Sequence, residues 1–546
     1  MEIESKQQSL GKLTKKDVPF LASLFFMGLF LFLFYIWAMP LIDPDEPRYA
    51  STARDMIING NWIVPHFNGE PRINKPPLFY WTIALCYKIF GVNEFSSRLP
   101  SALAAIGTAI ITYLWGRRSG SCKDGFWSAM VLMSSPLFFL ISRFCITDML
   151  LSFFVCASLY LFYIEYTETE KRNTRRLFLY FLLSMVFLVK GPVGILLFIL
   201  ITICFLLLAC DLKYIKRLWY LPGFILFISI ICAWGIPFWL TLGTKQIFPL
   251  LSQETSGRFV SGYAHPETFY YYLPVFVIGF FPWSLFMFVV IFHFFRKKKT
   301  FSEETKKQIY FFCAWCIITI IFFSCSRSKL MTYILPMSPS VALLMPLISK
   351  WEMEDKFGKM INCLLWFILS VSILVPITLI ITMPKWLHVD YGISKHHVFI
   401  TIIVLLIGSI VTMFTYSVTR RFRLTKKTIC LTNCIFLIFT IVSSSKYMGT
   451  FRSTKDVVQK CLLEKETNYA LFGNHVAPSL VFYSGKCVMD MGTGAEFRKK
   501  LSNIKEPVYV LLSLKDYNKK KDWFQEISFY PVCQNNVHVI LSEASD

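Results

Sequence analysis

Apolar runs of about twenty residues, the length a helix needs to cross a hydrocarbon core, recur through the first 450 positions of the chain. Their lengths predict about thirteen membrane helices, at 18–41, 97–116, 126–142, 148–166, 174–190, 192–210, 218–241, 269–295, 308–325, 331–349, 359–384, 398–418 and 428–447. Between the first two runs the pattern changes. The stretch "DPDEPRYASTARDMIINGNWIVPHFNGEPRINKPPLFYW" (43–81) mixes carboxylates, cations and aromatics at close spacing. Within it, "DEPRYASTARDMI" predicts a helix begun at Pro44–Pro47, because proline suits a first turn. Glu70-Pro71 and Pro76-Pro77 bracket an extended strip that fixes where Arg72 and Lys75 point, since proline and its predecessor are both restricted. "PPLFYWTIALCYKIFG" predicts an amphipathic helix along the membrane surface. After the last run the chain turns polar, and "YALFG", "SLVFYS", "KCVMDM", "PVYVLLSL" and "HVILSE" read as short strands. The expected organisation is a polytopic α-helical membrane domain over 1–447, with its first outward loop at 42–96, and a small α/β domain outside the membrane over 448–546.

Composition agrees with this class. The 546 residues are 55% hydrophobic and 16% charged, well below the roughly 25% charge of soluble domains. The net charge of +22 does not point to nucleic acid, because the basic clusters follow membrane topology. Lys12/Lys15/Lys16, Arg117/Arg118/Lys123, Lys171/Arg172/Arg175/Arg176, Lys213/Lys216/Arg217, Arg296–Lys299 with Lys306/Lys307, Lys356/Lys359 and Arg420–Lys427 all fall on one side if the amino terminus is cytoplasmic. The first apolar run is too long for a signal sequence and lacks a small-residue cleavage site, so it reads as the first membrane helix. Many of the 16 cysteines sit in apolar runs, where they act as small hydrophobes. No Cys/His cluster signals a metal. Cys461, Cys487 and Cys533 allow one disulfide in the C-terminal region, with one thiol left over.

The same topology turns the 43–81 stretch, "RFCITD" (143–148), "VKGPVG" (189–194), the loop 243–268 and "SRSKLMTY" (326–333) outward. Ionisable groups at a membrane edge are costly, so those that persist are candidates for function. Asp45 and Tyr49 are spaced i, i+4 on one helix face with Arg48 beside them. The order D-x-D-E-x-R-Y-A, "GNWIVPHFNG", K-P-P-L-x-Y-W and F-S-x-R-L-P-S-A resembles the polyprenyl-phosphate-sugar glycosyltransferases of the GT-C fold. Among these it is similar to the lipid A 4-amino-4-deoxy-L-arabinose transferases, relatives of the protein O-mannosyltransferases. "TDML", "VKGPVG", "RF" with "HPETFYYYLPV", and "SKLMTYILP" follow in that family's order, so the resemblance covers about 18–350.

The resemblance implies an inner-membrane enzyme that moves a sugar from undecaprenyl phosphate to lipid A, or to another envelope glycan or protein acceptor, at the periplasmic face. It implies Asp45 as the catalytic acidic position with Glu46 beside it, and Arg48, Tyr49, Lys75, Asp148, Lys190, Arg258 and Tyr333 around the donor phosphate and substrate. Two departures stand out. Where the arabinose transferases often carry a glutamate before the lysine, this chain has Asn74, which argues against a metal shared with the later His265. Where they carry a tyrosine, it has Arg72, which bears on donor or acceptor choice.

The residue types fit that chemistry independently. Fixed cations such as Lys75, Lys190 and Arg258 stabilise a lipid phosphate that gains charge as the glycosidic bond breaks. A carboxylate near the anomeric carbon takes an acceptor hydroxyl's proton, or, with an ionised phosphate acceptor, orients the donor or steadies oxocarbenium charge. Each residue also has a plainer reading. Asp45 and Glu46 suit a solvated helix N-terminus. Lys75 and Lys190 suit interfacial anchors. Asp148 with Thr147 suits a helix cap. Other functions remain in view: a galacturonosyl- or hexosamine-transferring relative, a transporter or flippase, and a non-catalytic assembly subunit. An odd helix count without internal repeat argues against an inverted-repeat transporter. The absence of a W-W-D signature argues against an oligosaccharyltransferase.

Overall fold

The computed structural model describes residues 13–168, 170, 172–244, 247, 266–351, 355–382, 395–419, 422–461, 470–473, 477–492, 494–504, 506–534 and 537–543. Every predicted apolar run falls on a helix or on a broken set of helices. The first is α1 (Val18–Leu33). Two further helices follow, α2 (Asp45–Asn59) and α3 (Leu78–Phe90), joined by a hairpin of β1 (His66–Phe67) and β2 (Glu70–Pro71). Then come α4 (Glu94–Ser119), α5 (Cys122–Met133), α6 (Pro136–Ile141), α7 (Thr147–Thr167), α8 (Asn173–Lys190), α9 (Pro192–Leu208) and α10 (Leu221–Leu242). The remainder of this part holds α11 (Tyr272–Gly279), α12 (Trp283–Lys297), α13 (Glu303–Cys325), α14 (Ser338–Leu344), α15 (Pro346–Trp351), α16 (Asp355–Thr382), α17 (Lys395–Thr419) and α18 (Phe422–Arg452).

Proline explains the breaks. Pro136 separates α5 from α6, and Pro282 stands where the segments Phe269–Gly279 and Trp283–Lys297 meet at 104°. The run at 331–349 begins as a 3-10 helix, Met331–Met337, continues as α14 from Ser338 and breaks before Pro346. Each proline removes a backbone donor and crowds the preceding turn. Among the described residues, six helices are long and apolar enough to cross a membrane, or up to seven with the bent pair. The chain is a multi-pass membrane protein.

Burial separates inner helices from outer ones. The apolar windows of α4 and α7 are each 72% buried, whereas that of α10 is 6% buried. The core is aromatic: Trp115 packs against Tyr163, Phe311, Phe312 and Trp315 with ring centroids 5.4–5.7 Å apart. Outward-facing Phe26, Leu240 and Phe295 are exposed, which is unfavourable in water and suits contact with lipid.

The C-terminal part follows α18 with α19 (Lys455–Cys461) and a five-stranded mixed sheet of order β4-β3-β5-β7-β6. Its strands are β3 (Ala470–Gly473), β4 (Val488–Asp490), β5 (Val508–Ser513), β6 (Phe529–Gln534) and β7 (His538–Glu543). β3 runs parallel to β4 and β5, while β7 is antiparallel to β5 and β6. Helices α20 (Pro478–Ser484), α21 (Gly494–Leu501) and α22 (Leu514–Glu526) pack around it. "SLVFYS" was expected as a strand and is α20, because Pro478 opens the first turn and left-handed Gly485 (φ 71°) ends it. Strand β6 was not anticipated: Pro531 and a bulge mark it as an edge. Cys533 is disulfide-bonded and Cys487 is a free, exposed thiol.

The segment after α1 is fixed to the bundle by a buried ion pair. Glu46 and Arg98 are 1% and 0% exposed. Arg98 Nε donates to Glu46 Oε1 at 2.8 Å and Nη2 to Oε2 at 2.7 Å. Its remaining donors go to the carbonyls of Ile36, Met39 and Pro40. Glu46 also accepts from Ile42 N at 2.9 Å and Cys145 N at 2.7 Å. Removing one partner strands a buried charge. Arg98→Ala is therefore expected to destabilise the protein by about 3–5 kcal/mol, read as thermal unfolding of the detergent-purified chain. An Arg98→Ala/Glu46→Ala double variant is expected to lose less than the two single losses combined, and strict additivity would disprove the coupling.

Candidate functional site

Helix α2 begins at Asp45, so its first turn presents Asp45, Arg48 and Tyr49 together. Tyr49 is buried, with its ring centroid 5.4 Å from Phe79 and 5.7 Å from Tyr80 on α3. Opposite it the hairpin delivers Arg72. Asn68 (φ 56°) and Gly69 (φ 83°) form the two-residue turn with both φ angles positive, the geometry that Asn-Gly favours between strands. Arg72 N donates to Pro65 O at 2.7 Å, which continues the ladder. The Arg72 guanidinium then lies 5.0 Å from the Tyr49 ring centroid and 5.8 Å from that of Phe67. Burial and the nearby Arg72 charge lower the Arg48 pKa, with Asp45 and Asp43 opposing. Burial pushes the Tyr49 phenol well above its usual value. This tyrosine stays protonated at neutral pH.

A second group gathers at the outer ends of α7 and α8. Asp148 Oδ1 accepts from Lys190 Nζ at 2.5 Å. Lys190 is the last residue of α8, before left-handed Gly191 (φ 71°), and its Nζ sits 4.2 Å from the Tyr333 ring centroid. The start of α7 has no side-chain capping bond, so Asp148 holds the lysine rather than the helix end.

Of the residues expected from sequence, the structure thus brings Asp45, Arg48 and Tyr49 into one turn and joins Asp148, Lys190 and Tyr333. Lys75 is half-buried, and its Nζ donates to Asn74 O at 3.1 Å. Arg258 and His265 lie outside the described residues. Glu46, expected beside Asp45 as catalytic, has both oxygens occupied by four donors and faces the bundle. Its partner Arg98 lies in the motif F-S-x-R-L-P-S-A, where the signal is an arginine in the second turn of α4, just before the apolar stretch of that helix. Among the described residues no group of three or more His, Cys, Asp or Glu gathers to hold a metal. Asn74 brings only a neutral amide to the position before Lys75.

The C-terminal part packs directly on this loop, which sequence reasoning missed. Ser479 N donates to Asp43 Oδ1 at 2.8 Å, and the Ser479 hydroxyl donates to Asp43 Oδ2. Arg54 Nη1 donates to the carbonyls of Val481 and Phe482 at the end of α20. Asn68 exchanges two hydrogen bonds with the Val488 backbone. Tyr483 accepts from Leu41 N at 2.8 Å and donates to Glu94 at 3.0 Å, and Lys455 also reaches Glu94.

Comparison with known proteins adds the family. Residues 74–236 match the model of the dolichyl-phosphate-mannose-protein mannosyltransferases. An uncharacterised protein of Aquifex aeolicus is 31% identical over 328 residues, covering 59% of this chain and 72% of the relative. The undecaprenyl phosphate-alpha-4-amino-4-deoxy-L-arabinose arabinosyl transferase of Shewanella sediminis is 27% identical, covering 66% of each chain. The crystal structure of ArnT from Cupriavidus metallidurans bound to undecaprenyl phosphate superposes with a TM-score of 0.80 at 20% identity, covering 97% of this chain and 98% of that one.

The chain belongs to the GT-C polyprenyl-phosphate-sugar glycosyltransferase family. The sequence match takes in just under two thirds of the Shewanella relative's own length, whereas the likeness of fold to the Cupriavidus structure runs through nearly the whole chain. In this GT-C chain the C-terminal contact carries a titratable group. Burial pushes the Asp43 carboxyl up from 3.8 to about 6, against the Ser479 hydrogen bonds and the Arg48 charge. A carboxyl whose pKa rises on folding contributes stability that is full below its unfolded pKa and lost as pH rises through the folded one. The contact of α20 with the loop is therefore expected to hold more firmly at about pH 5 than at about pH 8. Hydrogen exchange at residues 478–484, corrected for intrinsic rates, checks this, and Asp43→Asn should flatten the difference. Equal protection at both pH values in the wild type would refute it.

Proposed function

We propose that the protein transfers a sugar from an undecaprenyl-phosphate-linked donor to lipid A, or to a related envelope acceptor, on the periplasmic face of the inner membrane. The observations that carry this reading are Asp45, Arg48 and buried Tyr49 at the start of α2, and the Asp148–Lys190 pair beside Tyr333, in a chain from this family. The arabinosyl transferase relatives support the donor and the acceptor class.

In this reading Asp45 stands at the anomeric carbon. It serves as the base for a hydroxyl acceptor or steadies positive charge on the sugar for a phosphate acceptor. Lys190 and Lys75, with Arg258, receive the leaving lipid phosphate, whose charge grows as the bond breaks. Asp148 aims Lys190, and the Tyr333 face adds a cation–π contact. Displacement from the face opposite the phosphate inverts the anomeric centre. The amino terminus lies in the cytoplasm by the distribution of basic loops. Residues 448–546 form a periplasmic domain, a placement that the disulfide at Cys533 supports.

A protein acceptor is the second reading, favoured by the match to the protein mannosyltransferase model. Transport has less support, because the ion pair sits at helix ends rather than at mid-helix. The test is mass spectrometry of lipid A from cells carrying the wild-type protein, Asp45→Asn, or no gene. A sugar-sized mass is expected only with the wild type, and Asp45→Asn is expected to cut transfer by about 10²-fold or more. Unchanged lipid A in all three would eliminate lipid A as acceptor and turn the measurement to envelope glycoproteins.

A further inference from the structure

Near Asp45 the stretch 43–75 holds two guanidiniums, Arg48 and Arg72. Glu46 is paired with Arg98 and Asp55 with Arg54 at 3.1 Å, Asp43 accepts from Ser479, and Glu70 is exposed on β2. Both guanidiniums feel the charge of Asp45, and Arg48 also that of Asp43. Both are half-buried, and neither forms an ion pair among the described residues. The Arg72 Nε is buried without a hydrogen-bond partner. Two like charges held in partial burial with an unfilled donor are costly to the free protein. They become favourable when a ligand brings negative charge.

Their placement says which part of the substrate that is. Arg72 is stacked 5.0 Å from the Tyr49 ring, and Arg48 precedes Tyr49 in sequence. Asp45 lies one helical turn earlier on α2. The arginine pair therefore borders the carboxylate that stands at the reacting sugar. Of the lipid-phosphate cations, Lys190 comes from α8, and Lys75 follows Arg72 on the strip between β2 and α3. Guanidinium is suited to this task because its fixed fork grips a carboxylate or phosphate through two bonds, which an ammonium cannot do.

We propose that Arg72, with Arg48, binds a second anionic group beside the reacting carbon, so that the transferred sugar is acidic, as in a uronic acid, or the acceptor presents a phosphate there. The inference rests on the transferase reading above for the place of the lipid phosphate. It runs against a donor with a free amine, which the two guanidiniums would repel.

The test uses the full-length protein in nanodiscs and measures binding, so that it does not depend on turnover. The probes are farnesyl phosphate and its conjugates with glucuronic acid, glucose and 4-amino-4-deoxyarabinose. Wild type is expected to bind the glucuronyl probe about tenfold more tightly than the glucosyl one, the gain of a charge-assisted hydrogen-bond pair. Arg72→Gln should erase that preference, Arg72→Lys should keep part of it, and bare farnesyl phosphate should bind all three proteins alike, which also shows that the variants are folded. Equal binding of the sugar probes, with phosphorylated lipid A outcompeting dephosphorylated lipid A only when Arg72 is present, would assign the anion to the acceptor.

Tighter binding of the amino-sugar probe by wild type would overturn the proposal. So would loss of bare farnesyl phosphate binding in Arg72→Gln, because Arg72 would then serve the lipid phosphate. Retained preference without sugar transfer to any acceptor would defeat the transferase reading and leave the arginine assignment standing.

Discussion

The site depends on one buried ion pair. Bringing a carboxylate and a guanidinium out of water is costly, and their attraction offsets that cost only where the remaining donors and acceptors are also satisfied. Glu46 and Arg98 meet that condition: five guanidinium donor contacts and four contacts to the carboxylate are made. The partners come from the end of the first membrane helix, the start of α2, the start of α4 and the turn before α7. Asp45 is the neighbour of Glu46, and Asp148 lies three residues beyond Cys145, whose N–H donates to Glu46. One interaction thus places both carboxylates of the candidate site. It also explains why two adjacent acidic residues have different work: the helix turns one toward the bundle and leaves the other half-exposed.

A second constraint comes from the far end of the chain. Helix α20 is bound at its start by Asp43 and at its end by Arg54, two residues on either side of the first turns of α2. Asn68, in the turn that aims Arg72, is tied to β4. The C-terminal sheet therefore backs the hairpin and α2 from the side away from the bundle. A loop of this length would be mobile if it relied only on its own contacts. Here it is held between the membrane helices and a packed sheet, so the side chains of its first turn have fixed positions before any substrate arrives, which is the condition for electrostatic stabilisation of a leaving group.

The membrane architecture was legible because length and apolarity are local properties: a run long enough to span is long enough whatever surrounds it. Helices α2 and α3 were legible for a related reason, since proline at a first turn is a local instruction. "SLVFYS" failed because a short apolar run carries no periodicity that separates strand from helix, and the deciding residues, Pro478 and Gly485, lie at its ends. The site divided along the same line. Asp45, Arg48 and Tyr49 share one helical turn and could be grouped by spacing alone. The pairing of Glu46 with Arg98 spans 52 positions, and that of Asp43 with Ser479 spans 436. No local pattern encodes such contacts, so Glu46 looked like a second catalytic acid and the C-terminal part looked independent of the site.

The charge arrangement separates two tasks that a single cluster of cations would confuse. Lys190 is neutralised at rest by Asp148 at 2.5 Å. In the proposed transfer, a lipid phosphate approaches a pair that is already balanced and gains most from the lysine when its own charge grows. Such a contact favours the transition state over the ground state, which is what raises a rate. Arg48 and Arg72 form no ion pair among the described residues, and the Arg72 Nε lacks a partner, so in the proposed reading they bind an anion in the ground state and contribute to selection more than to acceleration. On the proposed reading, a balanced cation at the helix ends and an unpaired guanidinium pair on the loop would let one small site grip the lipid phosphate and choose the sugar by different physical means.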